Sequence, residues 1–187
     1  MAYFEYKILR TDRVDGTGYL VEGVSVEPTA KLRKHTQALA GYLGYCGVGS
    51  VQFLVDEAND SAAVLEINPR LGASCALPFH CRCDLPRLAA ENAEYMAGAR
   101  QAPSVRSTDY AIGERLVWTF GDLQGMLRAR RAGELPVSTL MSLVRRSSTA
   151  FLRADCHATW WWKDPLPTCA IYGRLFGSLL RKVAKRA

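Results

Sequence analysis

No run of apolar residues approaches the roughly 20 that a membrane-crossing helix needs. The opening MAYFEYKILRTD also lacks the uninterrupted apolar core of a secretory signal, so the cytoplasm is the expected location. A phosphate loop of the form G-x-x-x-x-G-K-[ST] is absent. No second cysteine pair follows HCRC at 80–83, and Cys-x-Cys is tighter than the usual zinc spacing. Cys46, Cys75, Cys81, Cys83, Cys156 and Cys169 are therefore expected as free thiols. A structural metal on His80, Cys81, Cys83 and Cys75 is the open alternative. Positive charge is in excess, with 24 Lys and Arg against 18 Asp and Glu, net +6. That balance suits anionic ligands or nucleic acid. A chain of 187 residues, 49% hydrophobic, suffices for one domain with a core or for part of a larger protein.

Tyr3–Arg10 and Tyr19–Val26 read as strands joined by the glycine-rich turn VDGTG, a candidate hairpin. Pro28 suits the first turn of a helix running to about Leu43, with Leu32, Leu39 and Leu43 inward and Gly44 as a left-handed cap. SVQFLV and AAVLEIN are two further strands around the turn DEANDS. Helices are expected over CDLPRLAAENAEYMAG, over 122–133 with its arginines solvated, and over 137–154 with Leu140, Leu143, Val144 and Phe151 in a core. Trp160, Trp161 and Trp162 alternate faces if they lie in a strand, although base stacking is conceivable. GRLFGSLLRKVAKRA reads as a solvated terminal helix, with membrane-surface contact the weaker alternative.

The informative stretch is VLEINPRLGAS at 64–74. Alternation on a strand groups Val64, Glu66 and Asn68 on one face and Leu65 and Ile67 on the other. On the preceding strand Gln52 and Leu54 share a face, opposite Val51, Phe53 and Val55. If Val55 pairs with Ala63, Gln52 lies opposite Glu66, and Arg70 follows the strand end. Glu, Gln and Asn oxygens are hard ligands that suit magnesium, and an adjacent guanidinium can hold a phosphoryl group. A surface Glu–Arg pair and a plain Asn-Pro turn are the bland alternatives, and on spacing alone both readings are open.

VQFLVDEANDSAAVLEINPRLGAS closely resembles the metal-binding hairpin of the ATP-grasp superfamily. The resemblance implies that Gln52, Glu66 and Asn68 hold the magnesium (or manganese) of Mg-ATP, with glutamine at Gln52 as in carbamoyl-phosphate synthetase-like members. It implies that Arg70 contacts the phosphate or an acyl phosphate, that Leu54 and Leu65 line the adenine pocket, and that Gly72 and Ser74 approach the second substrate. ILRTDRVDGTGYLVEGVSVEP and CDLPRLAAENAEYMAG resemble the flanking elements of carboxylate–amine ligases, and GERLVWTFGDL and DPLP are similar to a C-terminal extension in that group.

The expected fold is α+β: an ATP-grasp C-terminal lobe over 1–101, mostly antiparallel with flanking helices, and a mainly helical extension over 102–187. The expected activity joins a small-molecule carboxylate to an amine or similar nucleophile through an acyl phosphate, with neither nucleic acid nor membrane as partner. Lysine-strand, glycine-loop and hinge elements of the family's other lobe precede the matching region, so the chain is expected to be a truncated gene product, a fragment of a longer chain, or one half of a split enzyme with a separately encoded lobe, and to be poorly soluble or to self-associate. An exposed apolar surface should result. Lys7 and Arg10 are expected to be solvent-exposed rather than phosphate ligands. Arg82 stands where relatives carry glycine. A non-catalytic remnant serving as a binding module is the alternative, and a basic nucleic-acid-binding domain is the third reading.

Overall fold

A computed structural model describes residues 2–13, 15–99, 101 and 109–184, apart from the side chains of 175, 176 and 178–184. Met1, Val14 of the glycine-rich turn, the expected boundary between 101 and 102, and the tail residues 185–187 lie outside the described residues. The described residues form an α+β arrangement of six α-helices and two sheets. In chain order the elements are β1 (Tyr6–Thr11), β2 (Leu20–Ser25), α1 (Ala30–Tyr42), β3 (Ser50–Asp56) and β4 (Ser61–Asn68). A 3-10 turn (Ala73–Cys75), α2 (Ala76–His80), α3 (Leu85–Met96), β5 (Arg115–Val117) and α4 (Thr119–Arg131) follow. The chain ends with α5 (Val137–Arg153), β6 (Cys156–His157) and α6 (Leu166–Ala184). Strand order in the larger sheet is β1-β2-β5-β6, and β3 pairs with β4 alone.

By contact clustering the chain divides into two compact units, Met1–Ile8 with Gly23–Arg115, and Leu9–Glu22 with Leu116–Ala187. In the first unit the ends of the helices follow local chemistry. Gly44 takes φ +59° after α1, and the N–H groups of Gly44 and Tyr45 bond the carbonyls of Gly41 and Ala40, a Schellman close. Asp84 caps α3 by accepting from the Arg87 N–H at 2.9 Å, and Pro86 sits in the first turn, where a missing N–H costs nothing. The Glu5 carboxylate accepts from the Thr29 N–H and hydroxyl at the start of α1. Neither α1 nor α3 buries a residue fully. Leu32 and Leu39 are half-buried as expected, but Leu43 is exposed, because the helix ends one residue before it.

The same Schellman geometry closes α2. Arg82 sits at φ +73°, with its N–H on the Phe79 carbonyl and the Cys83 N–H on the Pro78 carbonyl. An arginine therefore adopts the left-handed conformation that glycine accepts without steric cost.

The second unit centres on Val21, Leu116, Val117, Met126, Ala129 and Leu135, all buried, with Leu140 and Leu143 packed against the last three. Val144 is exposed rather than core. Arg10 is the larger correction. Its guanidinium grips both carboxylate oxygens of Asp122 and lies 3.5 Å from Glu22, with its side chain only 12% exposed. Burial disfavours its charge, but the hydrogen bonds and ion pairs with Asp122 and Glu22 outweigh this and raise its pKa. Alternation along β1 puts Arg10 on the inward side, which composition alone does not reveal. The α4 arginines Arg128, Arg130 and Arg131 are exposed as expected, with Arg128 also bonded to Asp12.

The tryptophans are not in a strand. β6 ends at His157, and Trp160 meets Trp162 edge-on at 5.1 Å while Trp161 and Trp162 are exposed. The terminal helix begins at Leu166, earlier than the tail pattern suggests. Among the described residues no helix is long and apolar enough to cross a membrane.

Arg82→Gly relieves left-handed strain and should stabilise the protein by about 1 kcal/mol, read as a higher thermal midpoint. His157 lies with its ring 4.6 Å from Phe151 and its Nδ1 buried without a hydrogen-bond partner among the described residues, and burial pushes its pKa down. The unfolded chain takes up this proton near the ordinary value of about 6.5, and the folded chain only at lower pH. Stability is thus fully present above about pH 6.5 and falls as pH drops below it. In urea titrations across that range, His157→Phe should flatten the acid side of the profile; an unchanged slope would show that His157 does not cause it.

Candidate functional site

The β3–β4 hairpin sets the site, and its register differs from simple alternation. The pairs are Ser50 with Asn68, Val51 with Ile67, Gln52 with Glu66, Phe53 with Val64, Leu54 with Ala63, Val55 with Ala62 and Asp56 with Ser61. Gln52 does lie opposite Glu66, but Val55 pairs with Ala62 rather than Ala63. The two registers are reconciled by a bulge between Gln52 and Phe53, which leaves Leu65 without a partner. Directly opposed residues share a face. The bulge therefore moves Val64 away from Glu66 and onto the face of Phe53.

Two distinct faces result. One carries Val51, Phe53, Val55, Ala62, Val64 and Ile67, an entirely apolar set. The other carries Ser50, Gln52, Leu54, Asp56, Ser61, Ala63, Glu66 and Asn68. On this second face Gln52 and Glu66 are exposed and Asn68 is half-buried, so the apolar run is not a fully buried strand. Leu54 and Leu65 are also open, 63% and 57% exposed. Val55, Val64 and Ile67 are exposed on the apolar face, in line with the expected uncovered apolar surface.

Polar contacts hold the hairpin from its turn. Asp56 accepts from the Ala58 and Asn59 N–H groups and from the Asn59 amide, and those bonds hold its carboxyl below the usual range. Lys7 on β1 meets Glu57 at 3.0 Å, and Lys31 on α1 meets Asp60 at 2.9 Å. Lys7 is exposed as expected, and its charge is engaged at the turn. These exposed pairs contribute little each.

The other end of the hairpin is shaped by backbone. A Cβ on Gly49 would fall 2.9 Å from the Asn68 carbonyl oxygen and 3.4 Å from the Pro69 Cα, so only glycine permits this approach. The Arg70 N–H bonds the Asn68 carbonyl at 2.9 Å and turns the chain out of the strand. Arg70 is exposed, and its one side-chain bond among the described residues is to the Leu71 carbonyl, 3.2 Å away. Gly72 precedes the 3-10 turn and its carbonyl accepts from the Cys75 N–H. Ser74 lies 3.1 Å from the Tyr6 hydroxyl.

The side chains of Gln52, Glu66 and Asn68 have no hydrogen bond or ion pair to protein among the described residues. Three oxygen donors on one open face, without a partner among the described residues, and a guanidinium just beyond the strand fit a hard divalent cation and a polyphosphate. The cysteine segment is different. His80 Nε2 meets Glu114 at 3.0 Å, Cys81 is buried, and burial raises the Cys83 thiol pKa. Among the described residues no three His, Cys, Asp or Glu side chains form a metal cluster.

An open, oxygen-rich hairpin face within an α+β chain is the class of site defined here. Residues 22–81 match the family model of the carbamoyl-phosphate synthase L chain ATP-binding domain. The matched segment contains Gln52, Glu66, Asn68, Arg70, Gly72 and Ser74, and the match supports its assignment to the ATP-grasp superfamily of ATP-binding domains. No curated protein and no solved structure matches the chain.

Gly49 and Tyr6 lie outside the motif as read from sequence. The two glycines of GVGS ahead of a strand signal close backbone approach at Gly49; nothing local signals Tyr6. Gly49→Ala should displace the Asn68–Pro69 backbone and lower stability by about 1–3 kcal/mol, seen as a lower urea midpoint.

Proposed function

We propose that the β3–β4 hairpin is the metal-binding part of a Mg-ATP site in an ATP-dependent ligase that joins a small-molecule carboxylate to an amine or similar nucleophile. The observation that carries this reading is the grouping of Gln52, Glu66 and Asn68 on one open face, with no hydrogen-bond or ion-pair partner among the described residues. Glu66 supplies the anionic oxygen, and Gln52 and Asn68 supply amide carbonyl oxygens. Magnesium, when bound, neutralises phosphate charge and favours in-line transfer.

Arg70 has guanidinium donors beyond the one spent on Leu71, and these are suited to the oxygens of a phosphoryl group or acyl phosphate. In the proposed reaction a carboxylate oxygen attacks the terminal phosphorus of ATP, and the bond to the ADP oxygen breaks. The amine then attacks the acyl carbon, loses a proton, and inorganic phosphate leaves. Arg70 stabilises the charge on the acyl phosphate between the two steps. Leu54 and Leu65, both open, offer apolar contact for adenine, and Gly72 and Ser74 are assigned to the side where the carboxylate meets the terminal phosphoryl group.

A glutamine in place of a carboxylate leaves one acidic ligand, so the cation should bind weakly unless ATP adds its own charge. Calorimetry should find Mg-ATP binding to the chain, weakened at least tenfold by Glu66→Ala. Magnesium titrated alone should bind more weakly than in the presence of nucleotide. Equal magnesium affinity in both conditions would overturn the role given to Gln52; absence of Mg-ATP binding would overturn the site.

A further inference from the structure

We infer that Tyr6 is a positioning residue for Ser74, and that the pair presents one hydroxyl donor to the terminal phosphoryl group of the nucleotide. The inference rests on the Mg-ATP reading above. Tyr6 lies on β1 and Ser74 in the 3-10 turn, 68 residues later, with the two oxygens 3.1 Å apart and the pair partly buried.

The loop 69–75 is otherwise held by its own backbone, through Arg70 on Asn68 and Cys75 on Gly72. Among the described residues, the Tyr6–Ser74 bond is the one side-chain hydrogen bond joining this loop to another element. It therefore fixes the loop that begins at the Asn68 ligand position and carries Arg70.

Proton counting assigns the ligand chemistry. Two hydroxyls carry two protons, and their mutual bond uses one. Neither has another partner among the described residues, so one O–H remains to be donated. A neutral donor four residues after a guanidinium that spends one donor on the Leu71 carbonyl suits an oxyanion and adds no charge of its own. The terminal phosphoryl group is the oxyanion that Arg70 serves in the proposed reaction, so the hydroxyl pair should distinguish ATP from ADP.

Calorimetry with Mg-ATP and Mg-ADP on the full chain tests this. Tyr6→Phe and Ser74→Ala should each weaken Mg-ATP binding about tenfold, as expected for a lost hydrogen bond to a charged group, and leave Mg-ADP unchanged. The double variant should be no weaker than either single one, because the two act as a unit. Ser74→Thr keeps the hydroxyl and should retain the preference for ATP, which separates lost donation from lost packing. Equal losses for both nucleotides, no loss, or additive losses would overturn the inference. If one of those overturning results appears while Mg-ATP binding still depends on Glu66, this inference fails and the metal site stands. If the unaltered chain binds no Mg-ATP, the site reading fails and this inference fails with it.

Discussion

The pairing of Gln52 with Glu66 is the constraint on which the candidate site depends. It is maintained by one extra residue, Leu65, on the second strand. At the turn Val55 faces Ala62, and continuing that register would place Gln52 opposite Leu65. The bulge advances the strand by one residue and inverts the alternation after it. Polar oxygens then gather on one face and apolar side chains on the other. Without that inversion Glu66 and Asn68 would join Val51 and Phe53 on the apolar face.

A two-stranded hairpin is marginal on its own. Here it is tied at its turn by Lys7 and Lys31 and at its other end by the close approach of Gly49 to Asn68. The turn contacts are exposed and weak, and the glycine contact is steric and specific. The Asn68 end of the hairpin thus rests on a close backbone approach and the tip on exposed ion pairs; a fixed backbone is what preorganised oxygen donors need. In the other unit, charge rather than apolar packing makes the most demanding contact. Arg10 between Asp122 and Glu22 is favourable only while all partners are in place, because removing one leaves a buried charge uncompensated.

Much of the architecture was legible in local pattern. The strands of the hairpin, the left-handed close at Gly44, the cap at Asp84 and the helices over 119–131 and 137–153 all follow from spacing and cap chemistry within a few residues. The Gln52–Glu66 opposition was legible too, although the pairing inferred at the turn was one residue off. Val144, Leu43 and the tryptophan stretch depart from the pattern because periodicity identifies a stripe without saying what covers it. Arg82 is the reverse case: the backbone keeps the conformation that glycine favours, and the arginine bears the strain.

By itself, the sequence determined the donor set. Glu66, Asn68 and Arg70 recur at every second residue, and a strand of any register displays such a period on one face or just beyond it. The tertiary structure decided which face that is, which residue lies across from it, and which distant hydroxyl meets Ser74. Local propensity acts over a turn or a few strand residues. A bulge, a buried Arg10 and a Tyr6–Ser74 contact each depend on segments brought together across many residues, where the closure of the chain and the packing of both partners set the outcome.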